Sequence, residues 1–329
     1  MKYGGTIGIT MGDPSGVGPE IICKALADLT PAQRLQTIVI GDPLFLSRAN
    51  DLLKTGLEFG AAFTELAPGT VPLVEISTKS SNEVTPGTVS ASGGESAYRC
   101  ITRAVELCQD GSLEVMVTAP LNKAALHLAG HHYDGHTGLL TYLTGARQSF
   151  MLLTSEKLST IHVTTHVSMK EATERVTKER VLATISAGND HLQQMGIEHP
   201  RIAVAGLNPH CGEGGIFGKE DIEQIEPAVT SAAKKGIDVQ GPIPGDTVFY
   251  RAVNGEFDLV VAQYHDQGHA PIKLLAFDTA VNVSLGIPLR RTSVDHGTAF
   301  DIAWTGQADH RNMLTAIDYA RRWSAVSRK

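Results

Sequence analysis

Short apolar runs of β-branched residues recur along this chain, each cut off by a polar cluster and followed by helical periodicity. They fall at residues 6–10 (TIGIT), 36–40 (QTIVI), 71–76 (VPLVEI), 113–118 (LEVMVT), 160–165, 201–207 and 259–264, with helical patterns between them, notably over 95–108 and 177–195. Regular alternation of this kind predicts an α/β fold built on a mostly parallel sheet. At 329 residues the chain exceeds what one hydrophobic core usually supports, so two domains are expected.

Three of the runs end on a histidine. Leu259 to Tyr264 stops at His265-Asp266-Gln267-Gly268, Thr160 to Thr165 stops at His166, and the run from Arg201 through Pro209 stops at His210. The gaps of 44 and 55 residues leave room for a strand, a crossover and a return to a neighbouring parallel strand. Ligands bind outside the carboxyl ends of such strands, so His166, His210 and His265 are candidates to converge on one divalent metal. Each alone is more simply a hydrogen-bonded loop residue.

Other stretches carry weaker signals. Gly12 to Glu20 is a glycine-rich turn into a helix; without dinucleotide spacing it reads as a tight turn rather than a ligand loop. Asn122 is a possible cap for a helix that opens with Lys123, which is either a solvated residue or a proton carrier. The stretch His131 to Gly138 reads as a loop lending side chains to a substrate. Ser168 and Glu171 form a capping-box pattern. Val181, Ile185 and Leu192 give the helix at 177–195 its core face. Glu213 is a loop acid, Cys211 a small thiol, and Asp246 an N-cap or a proton acceptor. Lys273, Asn282 and Arg291, beside Thr292-Ser293, supply the cations and donors that a phosphate or carboxylate needs.

Composition excludes several functions. A net charge of −7 with no Lys/Arg block argues against a nucleic-acid surface, and Arg321-Arg322 reads as a solvated face of a terminal helix. No apolar run approaches membrane-spanning length, so no membrane partner is expected. Four cysteines without C-x-x-C spacing fit reduced thiols, and a cytoplasmic protein is expected.

The segment Val294 to Ala303, with its H-G-T-A-F-D-I-A run, resembles the adenosine-binding loop of the isopropylmalate and isocitrate dehydrogenases, as Gly16 to Glu20 resembles their opening turn. The whole chain resembles the 4-hydroxythreonine-4-phosphate dehydrogenase family more closely. Its matches are MGDPSGVGPE, TAPLNK, GHT, HVTTH, GLNPHCGEGG, YHDQGH, KLL and RTSVDHGTAFDIA. This resemblance implies two α/β/α domains of the isocitrate/isopropylmalate dehydrogenase kind, residues 1–135 with 280–329 and residues 136–279, with the active site in the cleft between them. It also implies a homodimer with active sites at the subunit interface. His166, His210 and His265 would hold the metal: zinc first, with nickel, cobalt, magnesium or manganese also compatible. His136, Thr137, Lys273, Asn282 and Arg291 would contact substrate. Gly297 and Asp301 would bind the cofactor, and a carboxylate at 301 favours NAD over NADP because it accepts from ribose hydroxyls and repels a 2′-phosphate. Gly138 stands where the family usually has Glu.

The residues around His265 to Ala270 resemble the branch acting on 4-phospho-D-threonate or 4-phospho-D-erythronate. The implied reaction is NAD-dependent oxidation and decarboxylation of a 4-phosphorylated 3-hydroxy acid to dihydroxyacetone phosphate, with Lys123 or Asp246 taking the hydroxyl proton. Alternatives are the dehydrogenase of vitamin B6 biosynthesis acting on phosphohydroxythreonine, a metal-dependent hydrolase, a relative that dehydrogenates cyclic aromatic diols, and an exported solute-binding protein.

Overall fold

A computed structural model describes residues 6–78 and 81–326. Two compact units divide it, one ending at Gln148 and resuming at Ile287, the other running from Ser149 to Gly286.

The first unit opens with β1 (Ile7–Thr10), α1 (Gly18–Asp28), α2 (Pro31–Leu35), β2 (Thr37–Gly41), α3 (Pro43–Leu53), β3 (Phe59–Ala61) and β4 (Val71–Glu75). It continues through α4 (Ala91–Gln109), β5 (Val115–Thr118), α5 (Lys123–Leu128) and α6 (His136–Thr144). The second unit holds β6 (Phe150–Thr154), β7 (Ser159–His162), α7 (Met169–Arg175), α8 (Lys178–Gln194), β8 (Ile202–Ala205), α9 (Glu226–Ala233), β9 (Val239–Ile243), α10 (Gly245–Val253), β10 (Leu259–Ala262), α11 (His265–Ala276) and β11 (Val281–Leu285). The chain then returns to the first unit for β12 (Arg291–Ser293) and α12 (Arg311–Val326).

In the first unit the sheet runs β3-β4-β2-β1-β5-β12 with every pairing parallel. Its central strands are buried on both faces, which is why they read as continuous apolar runs rather than alternating ones. Helix α1 packs with α3 and α12, while α4 packs with α5 and α6, giving two helical layers. Arg321 belongs to this packing: it donates to the Gln33 carbonyl at 2.9 Å and to Thr37 Oγ1 at 2.8 Å, so it pins α12 instead of facing water as its basic neighbourhood suggested.

In the second unit the order is β11-β6-β7-β10-β8-β9. The β7, β10, β8 and β9 neighbours are parallel, and β11-β6 and β6-β7 are antiparallel. A core of Leu153, Ala203, Val248, Phe249, Val260, Ala262 and Ile272 joins α10 and α11 to the sheet. The units divide later than the sequence boundaries of 135/136 and 279/280. The α6 helix packs on α4, and β11 pairs with β6, so each stays with its packing partner.

Local signals explain most element ends. Asn122 Oδ1 accepts from the Ala125 amide at 2.9 Å and starts α5, and Ser168 Oγ does the same for α7. Val181, Ile185 and Leu192 are buried along α8. Asp246 is not a cap: Pro244 holds that position, and Asp246 lies exposed inside the first turn of α10.

Candidate active site

Strands β7, β10 and β8 are adjacent and parallel, and the segments leaving their carboxyl ends carry His166, His265 and His210. His166 and His265 lie together, their ring centroids 5.4 Å apart. With metal–nitrogen bonds of about 2.0–2.1 Å and a tetrahedral angle, two imidazole centroids sharing one ion sit roughly 5 Å apart, so this pair fits a divalent metal. Both rings line a cavity of about 290 Å³ with Thr164, Thr165, Met169, Ala172, Tyr264 and Asp266. His265 Nδ1 is 2.7 Å from Asp266 Oδ1, a carboxylate partner of the kind that orients a ligating imidazole. His210 is exposed and is not gathered with them. Among the described residues no three His, Cys, Asp or Glu side chains of one chain are assembled for a metal.

Two further histidines support this pair. His162 Nδ1 faces the Met151 carbonyl at 3.0 Å, which places its proton there and turns the Nε2 lone pair toward His269 Nδ1, also 3.0 Å away. The His269 ring stacks on His265 with centroids 3.7 Å apart and planes within 11°. Burial pushes His162 down to about 4 and His269 to about 3, so both are neutral near pH 7. A Cβ on Gly268 would meet His162 Nε2 at 2.3 Å, which leaves only glycine at that position. The i, i+4 spacing of His265 and His269 on α11 was the sequence signal for this stack.

His210 sits in an unusual backbone. From His210 through Gly214 every residue has positive φ, 51°, 54°, 79°, 44° and 65°, a left-handed turn that includes His210, Cys211 and Glu213. Such conformations cost L-residues about 1–2 kcal/mol each and persist where the surroundings enforce them. The residues leading into this turn are anchored by buried Asp221, whose carboxylate accepts from the Leu207 and Asn208 amides at 2.8 and 3.1 Å. His166 is also left-handed, at φ 50°. Cys211 is half-buried, and burial pushes its thiol up to about 11. Glu213 is exposed. Of the remaining candidates in this unit, Lys273 is half-buried two turns beyond His265 on α11, with its Nζ 5.5 Å from the Phe277 ring. Asn282 is half-buried on β11 opposite Leu153.

The first unit holds a second polar centre. Arg291, only 3 % exposed, donates through Nε and Nη2 to Thr118 Oγ1 at 3.1 and 2.7 Å. Burial lowers its guanidinium to about 9. His136 opens α6 instead of lying in a loop; its Nε2 is buried without a partner, and burial first, then Arg291, hold it well below the usual imidazole range. A neutral imidazole with an orphaned nitrogen near a buried guanidinium suits an incoming anionic or hydroxylic ligand. Thr137 follows on α6. Lys123 is exposed at the start of α5, and its Cε lies 3.2 Å from where a Gly135 Cβ would be. At Gly138 the carboxylate of Asp134 occupies the side-chain space, 2.0 Å from an ideal Cβ. Thr118, Asp134, His162 and His269 were not singled out by sequence.

Gly297 and Asp301 are both exposed on the loop after β12, and a Cβ on Gly297 would meet nothing within 4 Å, leaving open room above the backbone. An accessible carboxylate beside uncovered backbone fits a nucleoside. The glycine turn, by contrast, is filled by its own chain: a Cβ on Gly12 would lie 2.2 Å from the Pro120 carbonyl oxygen, and one on Gly18 would lie 2.3 Å from that of Met11. Within it Asp13 is fully buried, its Oδ1 accepting from the Ser15 amide at 2.9 Å and its Oδ2 without a partner, and burial raises it to about 6.

Histidine-bearing strand ends and a buried arginine on α/β units describe an α/β enzyme, and comparison with known proteins gives its class. Residues 33–320 match the family model described as pyridoxal phosphate biosynthetic protein PdxA. The chain is 46 % identical to D-threonate 4-phosphate dehydrogenase of Salmonella typhimurium, over 96 % of this chain and 98 % of that one. It is 45 % identical to 4-hydroxythreonine-4-phosphate dehydrogenase of Geobacter metallireducens, over 97 % and 95 % of the two chains. The crystal structure of 4-hydroxythreonine-4-phosphate dehydrogenase from Klebsiella pneumoniae superposes with a TM-score of 0.88 at 44 % identity, covering 97 % of this chain and 99 % of that one. The chain belongs to the PdxA family. It is an enzyme of the dehydrogenase class.

Proposed function

We propose that this chain is an NAD- and divalent-metal-dependent dehydrogenase that oxidises and decarboxylates a 4-phosphorylated four-carbon 3-hydroxy acid, 4-phospho-D-threonate or 4-phospho-D-erythronate, to dihydroxyacetone phosphate and carbon dioxide. The observation that carries it is the pair His166 and His265, held at a separation suited to one metal ion beside a cavity. The 46 % identity to a D-threonate 4-phosphate dehydrogenase supports the substrate class.

A divalent metal held there would supply Lewis-acid polarisation of the substrate's hydroxyl oxygen, and NAD would supply the hydride acceptor. His166 and His265 hold the metal with His210, whose exposed position makes it available on pairing of two protomers. Neutral His269 and His162 keep His265 from turning. Arg291, His136 and Thr137, with Lys273 and Asn282, bind the acid and its phosphate. Lys123 or Asp246 takes the hydroxyl proton; both are exposed, as a residue that exchanges protons with solvent must be at some point in turnover. Asp301 selects NAD over NADP.

A homodimer fits the exposed apolar side chains of the second unit: Ile216 (75 %), Phe217 (52 %), Tyr250 (75 %), Leu274 (89 %) and Phe277 (72 %). Four free cysteines suit a cytoplasmic setting, and among the described residues no helix is long and apolar enough to cross a membrane. The test is a panel of phosphorylated four-carbon acids, phosphohydroxythreonine included, incubated with NAD and zinc, nickel, cobalt, magnesium or manganese. Reduced cofactor with the threonate or erythronate phosphate is expected. Turnover of phosphohydroxythreonine alone would reassign the substrate, and release of inorganic phosphate without reduced cofactor would indicate a hydrolase.

A further inference from the structure

The loop bearing Gly297 and Asp301 lies on α1, and α1 grips it with two side chains one helical turn apart. Glu20 is fully buried; its Oε2 accepts from the Trp304 amide at 2.5 Å and its Oε1 from the Gly306 amide at 2.6 Å. Lys24 Nζ donates to the carbonyls of Gly306 and Ala308 at 2.7 and 2.6 Å. One residue thus satisfies amides of the loop and the other satisfies carbonyls, across a sequence separation of more than 280 residues.

The preceding turn completes the seat. Val17 donates its amide to the Thr298 carbonyl at 3.0 Å, and the Trp304 indole donates to the Pro14 carbonyl at 2.9 Å. A Cβ on Gly16 would lie 2.7 Å from the Thr298 carbonyl oxygen, so glycine is what lets the two backbones meet. The loop needs this support because its own conformation is unfavourable: Ala299 and Trp304 are both left-handed, at φ 44° and 63°. Asp301 projects into solvent midway between them.

We propose that Glu20 and Lys24 are positioning residues for the cofactor: they hold residues 298–308 in the one shape that presents Asp301 and the open backbone at Gly297 to the nucleoside. On this assignment the glycine turn touches no ligand and serves as the bed on which the nucleotide loop is set. The inference rests on the NAD reading above.

The test compares NADH affinity, by quenching of tryptophan emission and by calorimetry, with calorimetric affinity for 4-phospho-D-erythronate. Glu20→Gln keeps shape but turns a donor toward an amide. Lys24→Met removes the carbonyl contacts from a half-buried site and serves as the second variant if the glutamate change prevents folding. Expected are NADH dissociation constants raised about ten- to hundredfold, as loss of a charge-assisted bond implies. The phosphorylated acid should bind as before, and Lys24→Arg should restore NADH binding. Unchanged NADH affinity in a folded variant, or equal weakening toward both ligands, overturns the clamp while leaving the NAD reading intact. Failure of the unaltered enzyme to bind NADH overturns both.

Discussion

Replacing Thr118 by Val tests whether the buried arginine is held in place or simply enclosed. Valine has the shape of threonine, so the sheet contacts of β5 survive and only the hydroxyl is lost. That oxygen takes two N–H donors of the Arg291 guanidinium at 3.1 and 2.7 Å, in a position that excludes water. Hydrogen bonds to a charged group contribute about 1.5–3 kcal/mol each, and two sharing one oxygen contribute less than twice that, so a loss of about 3 kcal/mol is expected. For a unit of this size that lowers the melting temperature by roughly 6–12 °C. Arg291 also loses its fixed aim, so KM for the phosphorylated acid should rise about tenfold with kcat little changed. Thr118→Ser keeps the oxygen and should behave nearly as the parent. Differential scanning calorimetry and steady-state kinetics on the three proteins decide the matter. A valine variant that melts within about one degree of the parent, with the same KM, would refute the idea that Thr118 bears the guanidinium.

Other expectations follow from the same geometry. His265→Ala should strip bound metal, read by elemental analysis after dialysis, whereas Glu198→Ala on an exposed turn should not. Gly268→Ala drives a methyl into His162 and should cost about 1–3 kcal/mol in urea unfolding while loosening metal retention; an unchanged midpoint would contradict the packing described for that helix. Burial raises Asp13 to about 6, so in the parent its contribution to stability is fully present below its unfolded value near 3.8 and is lost as pH rises through 6. Asp13→Asn should therefore gain on the parent by up to about 3 kcal/mol between pH 4 and pH 7, and a constant gap across that window would refute the assignment. Leu274→Asp, at a site 89 % exposed, should shift the protein from dimer to monomer in light scattering; a monomeric parent would remove the basis for the dimer.

What sequence could and could not reveal follows physical range. Strand and helix patterns are local, so β1, β2, β5, α4 and α8 were readable from periodicity, as was the placement of three histidines after parallel strands. Asn122 and Ser168 act on amides three residues away and were equally visible. Arg291 was readable as an anion contact, but its burial was not, because nothing near it in sequence shows that Thr118 receives it. Arg321 was misread as solvated for the same reason, its partners Gln33 and Thr37 being at the other end of the chain. The backbone of His210 to Gly214 was hidden too: glycines announce a bend, but nothing local shows that His210, Cys211 and Glu213 adopt positive φ with them. The domain boundaries shifted because α6 and β11 are assigned by what they pack on, which composition does not record.

The first unit is discontinuous, and this sets an order of events on the ribosome. The second unit, from Ser149 to Gly286, is one uninterrupted stretch and can close as soon as it has emerged. The first cannot, because β5 has no neighbour on that side until β12 arrives, and Glu20 and Lys24 of α1 lack their loop partners until residues 304–308 are made. The nascent chain therefore carries an unfinished sheet with an open edge through most of translation, and a ribosome stalled just before Arg291 would expose that edge to chaperones or to neighbouring chains.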